Sequence, residues 1–388
     1  MHGKQSIGAM INNKKMDDKK PYISVIMAAR NDNYQGDALI RLQMVITSLI
    51  CQAKKYNLRA ELIMIDWNPP PEKPLLKDVL CLPADLGPLV IRFIVVPPAI
   101  HKIYRSSKKM NVIFLAAMNV GIRRAKGEFL WPTNCDLLFS DELIQFLASE
   151  KMQKDCFYRV FRHSVNENIL ELKDGSPEQW INYCKKNIVF IHPKSTVPLP
   201  GLEKYPVLQT ATGGDFIVFS REKWLEMNGY VQLNNLGGFT DWMLCYICYL
   251  AGLKEEVLPG TMRVYHIDHA RHTKQRVEFS KGVINTLRYK IFPKMDDKNK
   301  IKISIRAINN FKNKVSDFFY NIFYSLFGKL IRKYGPPGTW DRNLRYLYWE
   351  FYKILLDMLE GKRPYAYNDE NWGMPKENFE EFIIYSKK

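Results

Sequence analysis

Gly127-Glu-Phe-Leu-Trp-Pro-Thr-Asn-Cys-Asp-Leu-Leu-Phe-Ser-Asp141 decides the reading of this chain. A short apolar segment, Phe129-Leu130-Trp131, runs into Asn134-Cys135-Asp136. An acidic side chain at the end of a buried strand is costly unless something neutralises it. A divalent cation carrying a diphosphate would do so, because hard cations take oxygen ligands. The plainer alternative is an Asp that leads into the next helix, and Ser140-Asp141-Glu142 has the composition of a helix start. The order of the surrounding segments favours the cation.

On the N-terminal side, Tyr22-Ile-Ser-Val-Ile-Met-Ala-Ala29 is a β-branched, apolar run that predicts a buried strand, followed by the polar loop Arg30 to Gly36. Leu39 to Tyr56 has helical periodicity, with Leu42, Val45, Ile46 and Leu49 on one face. Glu61 to Ile65 predicts a second strand, ending at Asp66-Trp67-Asn68 before three prolines. Val90 to Val96 predicts a third, stopped by Pro97-Pro98. Asn111 to Lys126 reads as a helix closed by Gly127, and Phe129 to Trp131 as the fourth strand. Strands alternating with helices indicate an α/β fold with a mainly parallel sheet, which binds ligands beyond the carboxyl ends of its strands. Arg30, Asp66 and Asp136 all fall at such ends.

Beyond Asp141 the pattern changes. Cys156 to Arg162 alternates as a strand. Ala211-Thr-Gly-Gly-Asp215 is a glycine-rich turn before Phe216 to Phe219, and Arg221 to Met227 a short helix. Gly237-Gly238-Phe239-Thr240-Asp241 is a second such turn, opening a helix over Trp242 to Leu250. Val264-Tyr-His266-Ile-Asp268-His269 ends a further strand. After about residue 290 the alternation gives way to a basic, aromatic helical region.

The 388 residues carry a formal charge of +17, with 46% hydrophobic and 13% aromatic content. That composition excludes a disordered chain. Lys281 to Lys333 holds 13 Lys/Arg against 3 Asp/Glu, so much of the excess lies toward the C-terminus. No zinc-finger spacing, basic zipper or RNA-binding signature accompanies the charge, which argues against nucleic acid and leaves an anionic ligand or membrane surface. The seven cysteines are odd in number and scattered, as expected for reduced thiols. Cys245-Tyr-Ile-Cys248 has redox or half-zinc spacing but lies in a helical segment and suits core packing better. Residues 1–20 read as a flexible polar tail without a secretory signal, and no apolar run is long enough to span a bilayer. A cytoplasmic protein, peripheral to a membrane if membrane-bound at all, is the expectation.

In order, Ser24-Val-Ile-Met-Ala-Ala29, Ile65-Asp66, Ala117-Met-Asn119-Val-Gly121-Ile-Arg-Arg-Ala-Lys-Gly127, Asn134-Cys-Asp136, Gly213-Gly-Asp215 and Thr240-Asp241-Trp242 resemble the nucleotide-sugar glycosyltransferases of the GT-A fold, specifically the inverting glycosyltransferase family 2. The resemblance spans roughly Pro21 to His272. It implies a Rossmann-like domain over 21–290, with a nucleotide-binding half (21–136) and an acceptor half (137–290). A helical, basic C-terminal extension follows over 291–388.

The resemblance further implies transfer of a sugar from a nucleotide-sugar donor, UDP-linked by expectation, to a hydroxyl on a glycan or lipid-linked acceptor. Mn2+ or Mg2+ would assist. Ala28, Arg30, Asp66, Asn119, Arg123 and Asn134 would bind the donor nucleotide, with the Asp66 carboxylate accepting from an N–H edge of the base. Gly214, Asp215 and Trp242 would face the donor sugar or the acceptor. Asp136, with His266 or His269, would hold the metal, and Asp268 would orient an imidazole. Asp241 would be the general base of an inverting transfer. The family's Asp-x-Asp is Asn-x-Asp here, so Asn134 stands where a second carboxylate is usual. Restoring the acid at 134 is expected to preserve or raise metal affinity.

Three other readings exist. A catalytically silent nucleotide-sugar scaffold is motivated by Asn134. A sugar nucleotidyltransferase is disfavoured, because Met27-Ala-Ala-Arg-Asn-Asp-Asn33 lacks the glycines of a triphosphate loop. A nucleic-acid-binding module would rest on charge alone. Ile308 to Lys333 pairs a Phe-rich apolar face with Lys312, Lys314, Lys329, Arg332 and Lys333, which suits either an anionic membrane surface or packing on the catalytic domain. His266, His269 and His272 recur at helical spacing, and Asn371-Trp372-Gly373 is a candidate to fold back toward the site.

Overall fold

A computed structural model of the chain describes residues 20–34, 36–192, 202–210, 212, 214–232, 240–269 and 352–387, with only the backbone of 240–242. The four early runs form strands β1 (Ile23–Ala29), β2 (Ala60–Trp67), β3 (Leu89–Val96) and β4 (Phe129–Pro132). Further along lie β5 (Leu137–Phe139), β6 (Cys156–Arg159), β7 (Phe161–Val165), β8 (Ile188–Ile191), β9 (Ile217–Ser220), β10 (Lys254–Val257), β11 (Arg263–Ile267) and β12 (Glu380–Ile384). Helices Ala38–Tyr56 and Phe114–Arg124 supply the crossovers beside β1 and β4. This is the α/β architecture expected: a large, mostly parallel central sheet with flanking helices.

The central sheet has the order β10-β6-β9-β4-β1-β2-β3-β12. β1, β2, β3 and β4 are parallel neighbours, while β9 and β12 run antiparallel. The chain steps outward from β1 to β2 to β3, then returns to place β4 on the other side of β1. That reversal makes the ends of β1 and β4 the crevice where such sheets bind ligands. The central strands β1 to β4 are largely apolar because both faces are covered, with Ser24, Glu61, Asp66 and Arg92 as the buried polar exceptions. Val25, Met27, Leu62 and Met64 belong to one core, and Ile26, Ala28, Ile63 and Ile65 to the other. Gly121 lets its helix close onto β1, since a Cβ there would collide with the Ile26 side chain.

A second sheet, β5-β11-β7-β8, carries the other half of the candidate site. The single strand predicted over Cys156 to Arg162 is in fact two. β6 pairs with β9 and β10 in the central sheet, and after Val160 the chain passes into β7 of the second sheet. Its alternation is unbroken, so nothing in the pattern marks the change of sheet.

The C-terminal region is not wholly helical. Residues 352–359 form a helix, and β12 then pairs antiparallel with β3 and covers the edge of the central sheet. Arg92 on β3 anchors it. Its guanidinium donates to Glu61 at 2.7 Å and to Glu381 at 2.5 Å, with its side chain 5% exposed. Trp372 packs on Gly229, whose φ of +72° suits glycine, and under the Arg123 guanidinium at 4.7 Å. Ile308 to Lys333 lies outside the described residues. Among these, no helix is long and apolar enough to cross a membrane. All seven cysteines are free; Cys245 and Cys248 are buried in the helix Thr240–Leu250, whereas Cys51 and Cys81 are exposed.

Candidate functional site

At the end of β2, Asp66 is 1% exposed. Its Oδ2 accepts from the Leu76 N–H at 2.8 Å, and its Oδ1 is buried with no hydrogen-bond partner. Burial raises its pKa to about 6, against the opposing Leu76 hydrogen bond and the Arg30 charge. Arg30, just past β1, donates to the Asn68 carbonyl and pairs with Asp32 at 2.8 Å. This end of the sheet therefore presents an acceptor oxygen in a dry setting, with a cation close by.

Asp136 reaches its partners through backbone pairing. β5 begins one residue after it and runs antiparallel to β11, so Leu137 stands opposite His266. The Ile267 N–H donates to the Asp136 carbonyl at 3.0 Å. Asp136 Oδ2 then lies 3.4 Å from His266 Nε2 and 3.4 Å from His269 Nε2. One ligand atom from each residue lies within 4.8 Å of the others. Metal–ligand bonds of about 2.0–2.2 Å put neighbouring ligand atoms roughly 3 Å apart, close to the two 3.4 Å separations between Asp136 and the imidazoles. Asp136 Oδ1 is buried without a hydrogen-bond partner. An O,N,N donor set with an orphaned carboxylate oxygen fits a divalent cation.

Asp268 holds the outer nitrogen of the first imidazole, with His266 Nδ1 3.1 Å from its Oδ1. Burial would lower the His266 pKa, but the Asp136 carboxylate and the hydrogen bonds to Asp136 and Asp268 outweigh it and bring it to about 9. Burial likewise works against the Asp136 charge, yet His266 and His269 hold that carboxyl well below the usual carboxylate range. The His-x-x-His spacing is not helical here. His266 is the next-to-last residue of β11 and His269 follows in the loop beyond it.

Asn134, two residues before Asp136, donates its Nδ2–H to Asp215 Oδ1 at 2.7 Å. Asp215 Oδ2 takes Arg162 Nη1 at 3.2 Å, and the Asp215 carbonyl accepts from Thr133 Oγ1 at 2.8 Å and Trp131 Nε1 at 3.3 Å. Asp215 is 2% exposed. Its carboxylate is thus committed to Asn134 and Arg162 and does not lie open toward a sugar. Arg162 and Ser164 on β7 went unrecognised in the sequence. They share a face with His266, since β7 and β11 run parallel with Ser164 opposite His266. The surplus of arginine in the apolar run Cys156 to Arg162 was the available signal.

Two expected donor residues are elsewhere. Asn119 is fully buried in mid-helix and spends its amide on the Tyr230 backbone, accepting at 2.7 Å and donating at 2.8 Å. Arg123 lies at the other end of that helix, against Trp372. The helix runs back along the sheet, so its last turn is remote from the strand ends that carry Asp66 and Asp136. Ala28 does lie on the rim, one residue before the end of β1 and paired with Ile65 beside Asp66, with its side chain in the core. Gly214 lies in the turn before Asp215. Asp241 and Trp242 occupy the first turn of the helix Thr240–Leu250, and their side chains lie outside the described residues, as does His272.

No protein-family model and no curated protein matches the chain. Solved structures with a similar layout include GalNAc-T7 with UDP, GalNAc and Mn2+ (16% identity over 65% of this chain, TM-score 0.40). The match spans only 45% of the GalNAc-T7 chain. The catalytic domain of Drosophila β1,4-galactosyltransferase 7, in complex with xylobiose, matches at 12% identity over 64% of this chain and 72% of that one, TM-score 0.33. S. aureus TarS 1–349 matches at 12% identity over 88% of this chain and 92% of that one, TM-score 0.42. These neighbours are GT-A fold glycosyltransferases.

Proposed function

We propose that this chain is an inverting glycosyltransferase that moves a sugar from a nucleotide-diphosphate donor to a hydroxyl acceptor with the help of a divalent cation. One observation carries the reading. The Asp136–His266–His269 cluster stands where β4 ends, on the same rim of the sheet as a buried Asp66 oxygen without a hydrogen-bond partner. The intervening strand is β1, so the two ends are roughly 10 Å apart at the usual strand spacing. A nucleotide lying across β1 would place its base at Asp66 and its diphosphate near Asp136.

Asp66 Oδ1 suits a base that offers an N–H, as uracil does. Arg30 adds positive charge beside it. Asp136, His266 and His269 would hold Mn2+ or Mg2+, and the cation, when bound, would offset charge growing on the departing diphosphate. Asp241 is assigned the acceptor proton. The acceptor oxygen bonds to the anomeric carbon as the bond from that carbon to the diphosphate breaks, and the hydroxyl proton passes to the Asp241 carboxylate. The acceptor is assigned to a glycan or glycolipid, and Ile308 to Lys333 to contact with an anionic membrane, which sedimentation with anionic against neutral vesicles would test.

Two His and one carboxylate are also the donor set of non-haem iron sites. The dry Asp66 oxygen favours the nucleotide reading, since an oxygenase has no use for it. Thermal shift with UDP, and with a panel of nucleotide sugars, with and without Mn2+, tests the proposal. Metal-dependent stabilisation by UDP and by one donor is expected. Absence of any nucleotide effect in Mn2+ overturns it, and binding without turnover supports a silent scaffold.

A further inference from the structure

The amide at position 134 has a cause in its neighbour. Asn134 Nδ2 is 2.7 Å from Asp215 Oδ1, and Asp215 is buried. An aspartate at 134 would set two carboxylate oxygens against each other at that distance, where both cannot comfortably ionise. Arg162 lies on the far side of Asp215, 3.2 Å from Oδ2, and is itself only 12% exposed along its side chain. The Asp215 backbone is fixed as well, through its carbonyl to Thr133 and Trp131 at the end of β4. Two adjacent residues of the turn from β4 to Asp136, Thr133 and Asn134, are therefore tied to Asp215.

We propose that Asp215 is a positioning residue: the Arg162–Asp215–Asn134 chain fixes the turn that carries Asp136, so the metal affinity of the Asp136–His266–His269 cluster depends on a carboxylate that touches no metal. The proposal rests on the metal reading of that cluster. It reverses the simple expectation that restoring an acid at 134 helps metal binding. It also predicts a rescue. In the swapped pair, the amide now at position 215 donates its N–H to the carboxylate now at position 134 and turns its carbonyl oxygen to Arg162. Each hydrogen bond keeps its place, with the acid and the amide exchanged.

The test compares wild type, Asn134→Asp, Asp215→Asn and the Asn134→Asp/Asp215→Asn double variant in two assays: Mn2+ titration by calorimetry, and urea denaturation in EDTA. Partners one shell out from a metal typically matter 10–100-fold in affinity. Each single variant is expected to lose Mn2+ affinity in about that range, and the double variant to return to within about threefold of wild type. In EDTA, Asn134→Asp should unfold at lower urea and the double variant should recover the midpoint. Asn134→Asp binding Mn2+ as tightly as wild type overturns the proposal, as does a folded double variant without recovered affinity. Should Asn134→Asp not fold, Asp215→Asn carries the test, and unchanged Mn2+ affinity there is equally decisive against it. A wild type that binds no Mn2+ refutes the metal reading instead, and the EDTA series then shows separately whether the pairing exists.

Discussion

Asp66→Asn should make the ligand-free protein more stable at neutral pH while removing nucleotide binding. The wild-type carboxyl is moved from 3.8 to about 6, chiefly by burial. A tenfold change in proton affinity corresponds to about 1.4 kcal/mol, so ionising this group inside the fold costs about 3 kcal/mol relative to the unfolded chain. Below pH 3.8 it is protonated in both states and costs nothing. Between 3.8 and about 6 the folded state holds the proton more tightly, so stability falls as pH rises through that window. Asparagine stays neutral throughout and can still accept from the Leu76 N–H. Its new buried N–H needs a partner, which offsets about 1 kcal/mol. A gain of about 2 kcal/mol at about pH 7.5 is therefore expected, vanishing near about pH 4.5 and reversing below it, where the amide still costs about 1 kcal/mol and the protonated wild-type carboxyl costs nothing. Urea denaturation from about pH 4 to about pH 8 measures it. UDP affinity should fall at the same time, because the variant sets a donor against the N–H of the base. A stability difference independent of pH, or wild-type UDP affinity, would refute the reasoning.

Arg92→Ala should destabilise by about 3–5 kcal/mol in urea denaturation, because Glu61 would remain buried with its charge unpaired and β12 would lose its anchor. Asp136→Ala and His266→Ala should abolish Mn2+-induced stabilisation, which in wild type should reach about 2.7 kcal/mol at a hundred times Kd; thermal shift reads the loss. Asp241→Asn should slow transfer by about 10²–10⁴-fold while leaving UDP affinity within about twofold; a parallel loss of UDP affinity would move Asp241 from the acceptor to the donor.

The sequence discloses those parts of the fold and site whose determinants are local. β1 to β4 are mainly apolar runs bounded by polar or Pro-containing turns, the composition that a strand buried on both faces favours. Asp66 and Asp136 stand out because an acid closing such a run needs an explanation. What stays hidden depends on pairings between distant segments. His266 and His269 invite a helical reading until β5 pairs with β11 and brings them to Asp136. Asn119 and Arg123 have the look of donor contacts. Only the direction of their helix shows that Asn119 serves Tyr230 and Arg123 serves Trp372, a residue far along the chain. Glu380-Glu-Phe-Ile-Ile384 carries only a short apolar run, and its partner β3 lies far back in the chain. Arg92 was a visible clue: a lone charge within an apolar run must be paired. Its acids are Glu61 on the neighbouring strand and Glu381 on the last one. The same logic applies to Asn134. Read alone, it is a missing carboxylate. Read beside Asp215, it is the side chain that donates an N–H to a carboxylate oxygen 2.7 Å away, where a second carboxylate would be repelled.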